Sequence, residues 1–108
     1  MRILFDQGTP APLRRHLHPH TVDTTAERDW STVTNGDLLK LAEEDGYEVF
    51  VTTDQNLRYQ QNLTGRRLGI VVLMGTSWPR IQQHISDILA AIVQVVGGGY
   101  QEVIIQRL

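Results

Sequence analysis

Short strand-like segments alternate with segments of helical periodicity along the chain. Five segments are apolar or β-branched and predict strands, at residues 3–5, 20–24, 49–51, 69–74 and 102–105. The segments between them predict helices, over residues 13–17, 38–45, 57–61 and 79–96. Continuous apolar strands that alternate with helices are typical of a parallel sheet covered on both faces. The pattern therefore predicts an α/β sandwich around a mainly parallel sheet.

Residues that begin or end helices support these boundaries. Asn35 or Asp37 can cap the helix that precedes the third strand, and Gly46 ends it. Pro79 fits the opening turn of the most regular helix, and Gly97–Gly99 ends that helix.

Composition narrows the classes of protein to consider. With 108 residues, 41% of them apolar, and a net charge of -2, the chain is expected to form one ordered domain that does not bind nucleic acid by bulk charge. It has no cysteine, which excludes disulfides and zinc–thiolate sites. Its apolar runs are too short for a signal-peptide core or a membrane span. We therefore expect a cytoplasmic protein with no membrane partner.

Two carboxylates follow predicted strands directly. Asp6 comes after the first strand and Asp54 after the third. Because parallel strands end at the same edge of a sheet, the two side chains are expected to approach each other there. Two carboxylates about 4 Å apart repel each other by roughly 4 kcal/mol at an effective dielectric near 20, and a cation between them removes that cost. The pair predicts a divalent metal site; the alternative is that each aspartate caps the helix that follows it.

Further oxygen ligands are expected near these two acids. Asp37, and less clearly Asn35, begins the helix before the Asp54 strand, and Asn56 follows Asp54 by two residues. Carboxylate and amide oxygens suit Mg²⁺ or Mn²⁺, and such sites hydrolyse phosphodiesters. The alternatives are N-capping by Asn35 or Asp37 and a backbone-stabilising turn at Asn56.

Basic and aromatic residues beyond the strand ends are candidate substrate contacts. Arg58 and Tyr59 lie among amide side chains just after Asp54, and Arg14 and Arg15 follow the first strand. Arginine and tyrosine side chains bind single-stranded RNA through phosphate contacts and base stacking. The alternative is a solvated helix face.

Taken together, these residues resemble the PIN-like family, in its branch of small single-domain, toxin-like proteins. Members of that branch open with a strand similar to Ile3–Asp6 and continue through a proline-containing segment, as at Pro10. They later have a strand that ends in Thr-x-Asp followed by Asp or Asn, as in Thr52–Asn56. The resemblance covers nearly the whole chain in order and spacing, so residues 1–108 are expected to form a single PIN-like domain.

The resemblance implies a three-layer α/β/α fold and a Mg²⁺- or Mn²⁺-dependent ribonuclease. Members of the branch are often the toxin of a toxin–antitoxin pair. Single-stranded RNA, an antitoxin protein and a second copy of the chain are therefore the candidate partners.

The resemblance also assigns roles to individual residues. Asp6 and Asp54 match the family's two most dependable acidic positions. Relatives often have an acid where this chain has Asn35, so Asp37 must carry the charge of the middle position, and Gln7 stands where many members have a further acid. The implied catalytic set, three metal ligands and one auxiliary residue, is Asp6, Asp37, Asp54 and Asn56.

Two alternatives remain open at this point. With three acids where more acidic members have four or five, the chain could be a catalytically degenerate PIN-like domain that binds RNA or protein. A signalling receiver domain also places acids at strand ends around Mg²⁺. That fold requires a second acid beside Asp6, where this chain has Gln7, and a lysine after a later strand, whereas the chain's one lysine is Lys40, within a predicted helix.

Overall fold

The computed structural model describes residues 1–105, and its strands and helices follow the predicted order. The five strands are β1 Arg2–Phe5, β2 Thr21–Thr24, β3 Val49–Thr52, β4 Gly69–Met74 and β5 Gly99–Ile104. The four α-helices are α1 Asn35–Glu44, α2 Leu57–Gln60, α3 Trp78–Ile81 and α4 Ile85–Gln94. Two 3₁₀ helices accompany them, Ala11–Leu17 and Gln82–His84. Within residues 1–105, every helix lacks the length and apolar character needed to cross a membrane.

All five strands form one parallel sheet in the order β2-β1-β3-β4-β5. The strands therefore end along a single edge, which we call the carboxyl edge. β1 and β3 are neighbours, with Phe5 opposite Val51. The residues that follow these two strands consequently leave the sheet side by side.

The two faces of the sheet are covered by different helices, because alternate residues of each strand point to opposite faces. Ile3 and Val49 face a core that includes Leu13 of the first 3₁₀ helix and Ile88 of α4. The intervening residues face a second core with α1 and α2, and examples are Leu4, Phe50, Leu39 and Leu57. The predicted α/β class is confirmed, and the arrangement is compatible with a three-layer sandwich.

The predicted helix over residues 79–96 is interrupted. The 3₁₀ helix Gln82–His84 separates α3 from α4. A 3₁₀ turn has 3.0 residues instead of 3.6, so it rotates the side chains that follow relative to a continuous α-helix. Beyond this turn, Ile92 and Val95 are buried, whereas Val93 and Val96 are 65% and 42% exposed.

An ion-pair cluster connects the end of α1 with the start of β1 and with the loop that follows β2. The Asp45 carboxylate lies 3.0 Å from Arg2 Nη2 and 2.5 Å from Arg28 Nη1. Arg28 also donates to the Tyr47 hydroxyl at 2.7 Å, and that hydroxyl donates to Asp23 at 2.5 Å. Hydrogen bonds from Arg28 first, and from Arg2 second, lower the pKa of Asp45 to about 2.

Candidate functional site

Asp6 is held in place at the end of β1 by both its backbone and its side chain. Its N–H donates to the Val51 carbonyl at 2.9 Å, so the residue still belongs to the ladder with β3. One carboxylate oxygen accepts the Gln7 N–H at 2.8 Å, and the other accepts the Thr52 hydroxyl at 2.8 Å. The carboxylate is therefore directed toward the end of the neighbouring strand.

Thr52 connects the two predicted acidic positions. Its side chain is fully buried, and its hydroxyl donates to Asp6 while accepting the Asp54 N–H at 3.0 Å. Thr52 shares the sheet face of Phe50, and Asp6 continues the face of Leu4, so both side chains lie on the α1 side of the sheet. One hydroxyl thus fixes the Asp6 carboxylate relative to the backbone that carries Asp54.

Asp54 is positioned by a turn and by α1. One carboxylate oxygen accepts the Asn56 N–H at 3.0 Å, and the other accepts the Asn35 side-chain N–H at 3.1 Å. We call Asp6, Asn35, Thr52 and Asp54 the strand-end site. Neither aspartate occupies the N-cap position of the following helix, because Pro10 and Asn56 do, although Asp54 accepts the Asn56 N–H in the turn that leads into α2.

The start of α1 supplies an amide and not a carboxylate to the site. The N-cap is Thr34, so the predicted caps Asn35 and Asp37 both lie inside the helix. Asp37 is exposed, accepts the Thr34 hydroxyl at 3.4 Å, and lines a cavity of about 420 Å³ together with Lys40. The structure brings Asn35, and not Asp37, to Asp54.

This placement affects the prediction that Asp6, Asp37 and Asp54 together hold a metal ion. Residues 1–105 contain no group of three His, Asp or Glu side chains positioned to hold a metal ion. Asp37 as a third ligand stays a prediction. Asn56 contributes its backbone N–H to the site, while the residue itself is exposed and its role as an auxiliary also stays a prediction.

The loop after β1 packs closely over the end of β3. The Thr9 hydroxyl is buried and donates to the Val51 carbonyl at 3.0 Å. A Cβ on Gly8 would lie only 2.6 Å from Thr53 Oγ1, so any larger residue would have to displace that side-chain oxygen. The loop thereby fixes the segment that carries Asp6.

The site carboxylates are not neutralised by basic side chains of the described chain. Neither Asp6 nor Asp54 takes part in an ion pair within residues 1–105. Both oxygens of each carboxylate instead accept neutral hydrogen bonds. The two negative charges therefore remain available to a cation.

The residues predicted to contact substrate differ in whether they are ion-paired and in how exposed they are. Arg14 is bound to Glu27 through two hydrogen bonds, and Arg58 lies 3.2 Å from Glu102 while stacking over Tyr59. Tyr59 itself is 72% exposed. Arg15 is exposed and has no ion-pair partner in the part of the chain that the structure describes. Tyr59 and Arg15 are consequently exposed members of the predicted set that take part in no ion pair within residues 1–105.

Thr52 was not identified as functional from the sequence, and Asn35 was ranked below Asp37 as the residue of α1 that reaches Asp54. A signal for Thr52 was present, because in Thr-x-Asp the threonine lies two residues before the acid and strand side chains two apart share a face. For Asn35 no local signal distinguishes it from Asp37, since both lie in the first turn of a helix.

The donor set fits a hard divalent cation. Two carboxylates follow the ends of the neighbouring strands β1 and β3, where the Thr52 hydroxyl orients Asp6 and the Asn35 amide orients Asp54. Mg²⁺ commonly binds proteins through one or two carboxylates and completes its shell with water and substrate phosphate. Two carboxylates therefore suffice for such a site.

Comparisons of the chain with family models, curated proteins and solved structures found no match.

Proposed function

We propose that the chain is a PIN-like, metal-dependent ribonuclease that acts on single-stranded RNA. The observation that carries the proposal is the Thr52 hydroxyl, which joins the Asp6 carboxylate to the Asp54 backbone where two parallel strands end. Ligand sites of parallel α/β sheets lie at this edge. The family resemblance extends the proposal to a toxin whose partner is an antitoxin protein.

Asp6 and Asp54 would hold Mg²⁺ or Mn²⁺, while the Asn35 side-chain N–H orients the Asp54 carboxylate. When bound, such an ion offsets charge on the phosphate and lowers the pKa of the attacking water. All the hydrogen-bond donors that orient the two carboxylates belong to this chain.

The residues of the site have distinct tasks in this proposal. Thr52 donates to one Asp6 oxygen and Asn35 donates to one Asp54 oxygen, so each carboxylate is fixed in orientation before substrate arrives. Preorganised charge of this kind costs no rearrangement during reaction. Tyr59 and Arg15, both exposed, are available to stack on a base and to contact a phosphate.

A second candidate is a PIN-like domain that binds RNA or protein without cleaving it. The observation that favours it is the hydrogen bonding of the two carboxylates, in which all four oxygens accept a donor from the chain. A pair of acids satisfied in this way can persist without a cation.

RNA cleavage tests the proposal. The native chain with Mn²⁺ should cleave a labelled single-stranded RNA, and a chelator should stop the reaction. Asp6→Asn and Asp54→Asn should each lower the rate by on the order of a hundredfold or more, because each removes a charge that holds the cation.

Asp37→Asn is the matched control, since it removes the same charge from the exposed side of α1. It should retain most of the activity if the strand-end site is the active centre. Equal cleavage by the native chain and by Asp6→Asn would assign the activity to a contaminant and transfer the proposal to the non-catalytic candidate.

A further inference from the structure

A second polar cavity lies at the carboxyl edge, where β4 ends. Its volume is about 280 Å³, and the residues that line it are Met74, Gly75, Thr76, Ser77, Arg80 and Ile105. One guanidinium and two hydroxyl groups are thus arranged around a space large enough for a small anionic group.

Arg80 differs from the other described arginines because it is half-buried and also lacks an ion-pair partner within residues 1–105. Five arginines of residues 1–105 lie within ion-pair distance of a carboxylate, and they are Arg2, Arg14, Arg28, Arg58 and Arg66. Arg15 and Arg67 lack such a partner in this range but are exposed. Arg80 is half-buried and has neither an ion-pair nor a side-chain hydrogen-bond partner among the described residues. Holding a cation partly out of water without a counter-charge is costly, and an anionic ligand removes that cost.

The hydroxyl groups beside Arg80 are also available. Neither Thr76 nor Ser77 uses its side chain in a hydrogen bond within residues 1–105. The backbone around them is fixed, because the Ser77 carbonyl accepts the N–H groups of Arg80 and Ile81 at 3.1 and 2.9 Å. The cavity therefore presents two hydroxyl donors on an ordered segment.

The cavity and the strand-end site lie along the same edge of the sheet. Thr52, the last residue of β3, lies opposite Val72, and β4 continues two residues further to Met74, which lines the cavity. Neighbouring strands are about 4.8 Å apart. The cavity and the strand-end site therefore belong to neighbouring strands at the carboxyl edge.

We propose that Arg80, Thr76 and Ser77 bind a phosphate group of the single-stranded RNA adjacent to the phosphodiester at the strand-end site. The choice of RNA as the polyanion rests on the proposed function. The planar guanidinium can donate two parallel hydrogen bonds to phosphate oxygens, and the hydroxyls can donate to the same group. The subsite positions the strand and takes no part in bond cleavage.

Binding without cleavage tests the subsite. Fluorescence anisotropy of a labelled single-stranded RNA is measured with chelator present, in the Asp6→Asn background, over a series of salt concentrations. Arg80→Gln should weaken binding by about tenfold, because it removes a charge-assisted contact, and should lower the slope of log K against log salt by about 0.7, the value for one phosphate contact on a single strand.

Arg67→Gln is the matched control, since Arg67 also lacks an ion-pair partner within residues 1–105 but precedes β4 and lies at the opposite edge of the sheet. It should leave both the affinity and the slope almost unchanged. Arg80→Lys keeps the positive charge but loses the planar guanidinium that can donate two parallel hydrogen bonds. It should therefore retain the slope of log K against log salt while losing part of the affinity. Equal effects of Arg80→Gln and Arg67→Gln would overturn the subsite.

The subsite and the nuclease proposal can fail separately. If the native chain binds RNA through Arg80 and never cleaves it, the nuclease proposal fails and the phosphate subsite stands. If the native chain cleaves RNA and Arg80→Gln does so with an unchanged KM, the subsite fails and the nuclease proposal stands. A native chain that binds no single-stranded RNA overturns the subsite.

Discussion

Thr52 and Thr25 both have buried side-chain hydroxyls, but the two groups differ in their partners. The Thr52 hydroxyl donates to Asp6 and accepts from Asp54. The Thr25 hydroxyl has no hydrogen-bond partner among residues 1–105. A buried hydroxyl stabilises a fold only when it is hydrogen-bonded, so replacing each by a methyl group of similar shape should have opposite effects.

Thr52→Val should lower the free energy of unfolding by about 2–4 kcal/mol, because two hydrogen bonds are lost and one involves a charge. Thr25→Val should be neutral or stabilising. The urea midpoints of the two variants, at unchanged m, measure the difference. A Thr52→Val protein as stable as the native chain would show that the hydroxyl does not hold the strand-end site together.

Asp45 makes stability depend on pH through its ion pairs. Its pKa is about 2 in the folded protein, against 3.8 for a free side chain, because Arg28 and Arg2 donate to it. A depressed pKa means that the stabilisation is fully present above the unfolded value and is lost as the pH falls through the folded value. The relevant window is therefore between about pH 4 and about pH 2.

Asp45→Asn should destabilise the protein at neutral pH, and its difference from the native chain should shrink as the pH falls from about 4 to about 2. Urea unfolding of both proteins across this range measures the effect. Asp29→Asn is the control, since Asp29 is exposed and has no ion pair in residues 1–105. A difference between Asp45→Asn and the native chain that is constant with pH would contradict the ion-pair explanation.

At the scale of elements, the end of α4 rests directly on the start of β4. A Cβ on Gly69 would lie 2.2 Å from the Val95 carbonyl oxygen, a backbone atom that cannot rotate away. Gly97, by contrast, has a positive φ of 87° and open space around it. The two glycines are thus required for different reasons, close packing at Gly69 and backbone conformation at Gly97.

Gly69→Ala should cost about 3 kcal/mol or more of unfolding free energy, because the helix must move away from the strand. Gly97→Ala should cost only about 1–2 kcal/mol, which is the penalty for a left-handed residue with a side chain. Thermal and urea unfolding of both variants give the comparison. Similar costs for the two would mean that α4 shifts easily over β4.

At the scale of the whole molecule, a cation that binds only the folded chain raises its stability by mass action. At a free Mn²⁺ concentration one hundred times Kd, the gain is about 2.7 kcal/mol. This corresponds to a rise in Tm of roughly 10 °C for a domain of this size. Asp54→Asn should abolish the rise, and Asp37→Asn should retain it.

Asn35→Asp extends the same measurement. A third carboxylate beside Asp54 should lower Tm without metal, because like charges repel, and should enlarge the Mn²⁺-induced rise. If Asp37→Asn abolishes the rise as completely as Asp54→Asn, Asp37 is a ligand in the metal-bound protein. An equal rise in every variant would place the ion elsewhere.

The sequence by itself determined the features that depend on neighbouring residues. Continuous apolar runs marked β1, β3 and β4, and Asp6 and Asp54 were recognised because each follows a strand directly. Gly46 was recognised as a helix stop, and it has the positive φ of 87° that such a stop requires. These features are local, since a short apolar run and the preferences of glycine are set within a few residues.

Only the tertiary structure decided which side chain of α1 reaches the strand ends. Asn35 and Asp37 are two positions apart, about 200° around a helix, so when one faces the sheet edge the other points away. The rotation of α1 is set by the packing of Leu38, Leu39 and Ala42 into the core, which the charge pattern does not reveal. Likewise, the carboxylate partners of Arg14 and Arg58 come from distant parts of the chain, because ion pairing depends on how the elements are assembled.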